Sequence, residues 1–126
     1  MTEHEHEFEI GVRPAYIEGQ SDPSAGRYVF AYTITITNLG EVAARLLNRH
    51  WVITHGNGRT QEVRGRGVVG EQPRIAPGES FRYTSGAVLD SEVGTMVGSY
   101  EFADDSGKLF EVPIPAFTLA APNALH

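Results

Sequence analysis

The 126-residue chain contains no cysteine and has a formal net charge of −6. That excludes disulfides, thiolate catalysis and cysteine-ligated metals, and it speaks against direct, nonspecific binding of nucleic acid. The length suits one domain, residues 1–126, and no apolar run approaches the roughly 20 residues of a membrane-spanning helix, so a soluble, cytoplasmic protein without membrane insertion is expected.

The N-terminal "MTEHEHEFEI" places His4 and His6 in alternation with Glu3, Glu5 and Glu7. In an extended chain both imidazoles would share one side, which makes His4 and His6 weak candidates for a divalent cation such as Co²⁺ or Mg²⁺. Residues 1–6, like 121–126, otherwise read as dispensable flexible tails. Phe8, Ile10 and Val12 alternate with Glu7 and Glu9 and predict a first strand suited to a sheet edge, with Pro14 interrupting its ladder. The clearest strand is "RYVFAYTITITNL": Tyr28, Phe30, Tyr32, Ile34 and Ile36 share one face and Thr33, Thr35 and Thr37 the other. "VAARLLNRHWVITH" suits either period, but Leu47, Trp51 and Ile53 share one parity and "HGNGR" follows as a hairpin turn into "TQEVR". "APGES" then turns into "FRYTSGAVL", and "DDSGK" joins "GTMVGSYEFA" to "LFEVPIPAF". About seven short strands with Gly-rich turns and no helix predict an all-β fold, a sandwich of two antiparallel sheets.

Between Arg45 and Arg82 seven arginines stand against three acids. This basic segment in an acidic chain suits either an anion-facing surface or ordinary solvated strand faces. Within it, Gly65-Arg66-Gly67-Val68-Val69-Gly70 fits G-x-G-x-x-G. A dinucleotide site needs a helix directly after the glycines, and Pro73 and Pro77 forbid one here. Asp90 lies where a ribose-binding acid would be expected, but without a βαβ unit that spacing positions nothing. The glycines still permit a compact loop whose N–H groups form an anion nest flanked by Arg64, Arg66 and Arg74, or simply tight turns that need glycine. The candidate ligand-binding residues are therefore Arg64, Gly65, Arg66, Gly67, Gly70 and Arg74.

No catalytic set emerges. There is no G-x-S-x-G elbow and no zinc spacing among the histidines; Ser80, Ser85 and Ser99 have no partner that spacing identifies. His50 and His55 read as packing or turn residues, and Asp104-Asp105 first of all as a hairpin turn. Trp51, Tyr83, Tyr100 and Phe102 are types used at recognition surfaces, although alternating aromatics in strands are usually core. No cofactor is called for.

The strings "RHWVITHGNG", "VRGRGVVGEQPRIAPGESFRYTSGAVL", "GTMVGSYEF" and "GKLFEVPIPAFTL" together resemble the ApaG family from about Glu7 to Leu119. The resemblance implies an immunoglobulin or fibronectin-type-III-like sandwich, in agreement with the pattern reading. It also implies an association with cobalt tolerance and magnesium efflux. Similar domains at the C-termini of F-box proteins and in a DNA-polymerase-interacting protein imply an interaction module with a protein partner. The glycine motif has led members to be discussed as nucleotide or pyrophosphate binders. Two expectations result: a non-catalytic binding module or, as the alternative, a phosphate-ligand protein, which could be an enzyme, using the Gly65–Gly70 loop and its arginines.

Overall fold

The computed structural model describes residues 5–122 and 124. Eight strands are present: β1 (Phe8–Tyr16), β2 (Tyr28–Asn38), β3 (Ala44–His55), β4 (Thr60–Arg66), β5 (Arg74–Ile75), β6 (Ser80–Leu89), β7 (Val93–Asp104) and β8 (Leu109–Ala120). The only helical segments among the described residues are two 3₁₀ turns, Glu18–Gln20 and Pro23–Ala25, between β1 and β2. A three-stranded sheet in the order β1-β2-β6 faces a five-stranded sheet in the order β4-β3-β7-β8, with β5 extending the β4 edge along β3. Every pairing is antiparallel.

The core lies between the sheets. Phe30, Tyr32, Ile34 and Ile36 of β2 point inward, as their alternation requires, against Leu46, Trp51 and Ile53 of β3 and Tyr100 and Phe102 of β7. Trp51, Tyr83, Tyr100 and Phe102 all belong to this core. Tyr32 meets Trp51 edge-on at 5.5 Å, a geometry that adds to the area buried.

Two local expectations are corrected. Leu46, not Leu47, is the buried residue of β3, because a register shift between Leu46 and Asn48 reverses the parity before Trp51. Pro14 does not end the first strand, which continues to Tyr16 with Pro14 opposite Tyr32. Ile17 N–H donates to the Val29 carbonyl, so odd-numbered residues of β1 face β2. Pro14 therefore turns its missing donor outward, where an edge strand loses no ladder bond.

The two flanks of the sandwich differ. On one, His6 stacks on Phe110 at 3.9 Å and Phe8 lies 4.6 Å from Phe102, joining the N-terminal segment to β7 and β8. On the other, the 67–73 segment lies beside the gap between β6 and β3, and the Tyr83 and Tyr100 hydroxyls meet across the core at 2.5 Å. Buried Asn38 holds the end near β5: its amide donates to the carbonyls of Val42 and Ile75, and its oxygen accepts from Gly40 N–H.

Candidate functional site

The open flank is organised by an arginine on the apolar parity of a strand. Arg49 shares its face of β3 with Trp51 and Ile53, and lies opposite Gly65 on β4 and Tyr100 on β7. Its guanidinium folds over Gly65 and donates to the carbonyls of Arg66 at 3.1 Å and Gly67 at 2.9 Å. A Cβ on Gly65 would stand 2.6–2.7 Å from the guanidinium atoms, so the glycine creates the space in which the cation lies.

The other two glycines have different tasks. Gly67 has φ +64°, and a Cβ there would come within 2.3 Å of the Glu71 carbonyl. Val68 N–H donates to the Glu71 carbonyl at 2.8 Å and Glu71 N–H returns a bond to Val68 at 2.9 Å, closing a two-residue hairpin. Both central residues, Val69 at φ +43° and Gly70 at φ +81°, are left-handed, as in a type I′ turn. Val68 is fully buried beneath this turn, whereas Val69 is 53% exposed. A β-branched residue in this region is strained, and nothing in the turn itself requires valine.

Together these residues form a depression of about 270 Å³ between the sheets, lined by Tyr32, Tyr83 and Ser85 below, Arg49 and Arg66 at the side, and Val69 and Gly70 at the lip. Burial raises the tyrosine hydroxyls above their ordinary range, so they remain neutral hydrogen-bonding groups. Arg66 reaches the Gln72 side-chain oxygen at 3.2 Å. Gly67, Val68 and Glu71 N–H groups are all engaged within the protein.

Arg64 faces a second cleft of about 640 Å³ on the outer face of the larger sheet, with Asn48, His50, Ser99, Glu101 and Glu111, and this cleft also reaches Arg49 and Gly65. There His50 Nε2 lies 2.7 Å from Glu62, and Arg64 donates to the same carboxylate at 3.3 Å. The hydrogen bond from His50 and then the Arg64 charge lower the pKa of Glu62. Arg74 is apart from both cavities, held by a bidentate pair with Asp105. The structure thus brings Gly65, Arg66, Gly67 and Gly70 together around Arg49, gives Arg64 the outer face, and leaves Arg74 on β5.

The remaining candidate lies on the opposite flank. Glu5, His6 and Asp104 are a group among the described residues whose ligand atoms all fall within 4.8 Å of one another; His4 is outside the described residues. His6 Nε2 is 2.9 Å from Asp104 Oδ2. Asp104 Oδ1 accepts from the Ser106 hydroxyl and from the N–H groups of Ser106 and Lys108. These bonds, led by the Ser106 hydroxyl and then His6, hold Asp104 far below the ordinary carboxylate range. Residue 6 is therefore docked on the sandwich, contrary to its reading as tail. At the far end of β3, buried His55 joins two turns: its Nδ1 lies 2.9 Å from Asp90 Oδ1, and Arg59 donates to both Asp90 and its Nε2.

Sequence reasoning missed Arg49, Tyr32 and Ser85 as members of the site. The legible signal was an arginine in step with Trp51 and Ile53, where the strand period calls for an apolar residue.

A family model described as the ApaG domain matches residues 18–104. Protein ApaG of Azoarcus sp. (strain BH72) is 60% identical over 121 residues, 96% of this chain and 95% of that one. Protein ApaG of Pseudomonas paraeruginosa (strain PA7) is 55% identical across all of both chains. Among solved structures, the putative ApaA protein from Bordetella pertussis superposes with a TM-score of 0.91 at 52% identity, over 94% of this chain and 96% of that one. The C-terminal domain of wzt, at 11% identity and TM-score 0.53, covers 94% of this chain and 75% of that one and shares the fold alone. With its sandwich, its glycine turn and near full-length similarity to these proteins, the chain belongs to the ApaG family.

Proposed function

We propose that this protein is a non-catalytic protein-binding module, whose binding surface is the open flank around Arg49, Arg66 and the 67–71 turn, with Arg64 on the adjoining outer face. The observation that carries the reading is Val69, an apolar β-branched residue held left-handed and half exposed at the lip of a cavity. Strain of this kind persists where the surrounding structure enforces it, and it presents a side chain that ordinary turn chemistry would replace with Asn or Asp. The neighbouring side chains suit recognition more than reaction: neutral tyrosines, a serine and two arginines, without a base beside a nucleophile in the cavity.

The phosphate reading finds less support. Three N–H groups of the loop are engaged internally, and Arg74 is committed to Asp105. The cobalt tolerance and magnesium efflux implied by the family resemblance would reach this protein through its partner. No helix among the described residues is long and apolar enough to cross a membrane.

The test is affinity capture with the immobilised chain and with an Arg49→Gln/Arg66→Glu variant, compared by quantitative mass spectrometry. A protein captured by the parent and lost with the variant is expected. Identical capture profiles would remove this surface as the binding site.

A further inference from the structure

The four outer strands of the two sheets are unequally protected. β1 carries Pro14, β8 carries Pro113 and Pro115, and β4 carries Glu62, Arg64 and Arg66 in alternation. Such prolines and charges are the usual guards against another strand pairing with an edge. β6 is the least guarded: its ten residues, Ser80–Leu89, contain no proline and a single charge, Arg82.

The direction of its free peptide groups follows from the ladder. Asn38 N–H donates to the Glu79 carbonyl, and Val29 presents its carbonyl to Ile17, so even-numbered residues of β2 face β6. Phe30, Tyr32 and Ile34 pair with Ala87, Ser85 and Tyr83. The odd-numbered residues of β6 therefore bond to β2, and Arg82, Thr84, Gly86 and Val88 turn their N–H and C=O groups outward. All four residues are exposed.

The same edge adjoins the cavity. A strand added to β6 would send alternate side chains into the gap beside Tyr83 and Ser85, where Arg49, Arg66 and Val69 form the facing wall. The wall is cationic with one apolar element. Resting on the protein-binding reading above, we propose that β6 is a strand-addition site for an extended acidic peptide segment of a partner protein. The partner's backbone bonds to Arg82, Thr84, Gly86 and Val88, and an inward Asp or Glu meets Arg49 and Arg66. Backbone pairing supplies affinity in this mode, and the side-chain pocket supplies selectivity. The acidic side chain displaces solvent from two cations that are otherwise bonded to loop oxygens.

The experiment pans a phage-displayed library of random dodecapeptides against the full chain and follows the synthesised winner by amide chemical shift and hydrogen exchange. Enriched sequences are expected to carry an acid in an alternating apolar setting, and to slow exchange at Arg82, Thr84, Gly86 and Val88. Thr84→Pro removes an outward donor without touching the β2 ladder, and should weaken binding roughly tenfold. Thr84→Val, which loses the hydroxyl bond to Thr33 but keeps the donor, should bind as the parent does. Arg66→Gln should weaken acidic peptides about tenfold and leave neutral analogues unchanged.

Three results would overturn the proposal. One is the absence of acidic enrichment. Another is protection of β6 that grows with protein concentration and no peptide, which would make a second copy the occupant. The third is a set of shifts confined to the outer cleft of Asn48, His50 and Glu101, which would refute strand addition while leaving the binding-module reading standing. That broader reading fails separately, if the capture experiment finds no protein dependent on Arg49 and Arg66.

Discussion

Replacing Val69 separates backbone strain from side-chain burial, because the two predict opposite signs. A left-handed conformation costs a non-glycine residue about 1–2 kcal/mol, and Asn relieves most of it while completing the Asn-Gly pair favoured in type I′ turns. Against this, Val69→Asn loses apolar burial. The side chain is 53% exposed, so about half of the roughly 1.5 kcal/mol expected for a fully buried valine is at stake. The net gain is about 0.5–1 kcal/mol, equivalent to a rise in Tm of roughly 2–5 °C for a chain of this size. Val69→Ala, which loses most of that burial and keeps left-handed strain, should instead be destabilised by about 0.5 kcal/mol. Urea denaturation monitored by Trp51 fluorescence, with calorimetry for Tm, measures both. If Val69→Asn is destabilised as much as Val69→Ala, the turn is unstrained and its valine needs no functional explanation. If strain is the cause, Val69→Asn should gain stability and lose partner capture, the trade expected where a surface is kept for binding.

Gly67→Ala should cost about 3 kcal/mol or more in the same urea assay, since φ +64° and a Cβ 2.3 Å from the Glu71 carbonyl set side chain against backbone. Gly65→Ala meets first the movable end of Arg49; it should change stability by less than about 1 kcal/mol yet abolish capture by displacing the guanidinium. Asn38→Ala leaves the Val42 and Ile75 carbonyls and the Gly40 N–H without their partner, and should lower stability by about 3 kcal/mol. Asp104 has a folded pKa below its unfolded one, so its contribution is complete above the unfolded value of about 4 and is lost as pH falls below it. Denaturation midpoints of the parent and Asp104→Asn should therefore differ at pH 7 and converge toward pH 2; a gap independent of pH would refute the assignment.

Strand period and turn chemistry made the architecture legible. The even-numbered face of Tyr28–Ile36 reports one half-buried strand without reference to the rest of the chain, because side-chain direction alternates with every residue. Turns such as "HGNG" and "DDSG" announce hairpins through residues that tolerate local φ values others avoid. The same local logic rejected a dinucleotide loop, since Pro73 and Pro77 forbid the helix that would carry the phosphate.

It could not locate the bulge that exchanges Leu47 for Leu46, because an extra residue in one strand is defined only by the partner opposite it. Nor could it show that Pro14 is harmless, which depends on β1 lying at an edge, or that His6 is anchored, which depends on Asp104 and Phe110 nearly a hundred residues away. The candidate site has the same character. Sequence determined that Gly65, Gly67 and Gly70 lie close together. The sheet pairing decided that Gly65 faces Arg49, and the packing of two sheets decided that Arg49, Arg66, Tyr83 and Ser85 surround one opening. Local conformation is governed by each residue and its immediate neighbours, whereas a cavity is governed by strands that meet only after the chain has closed on itself.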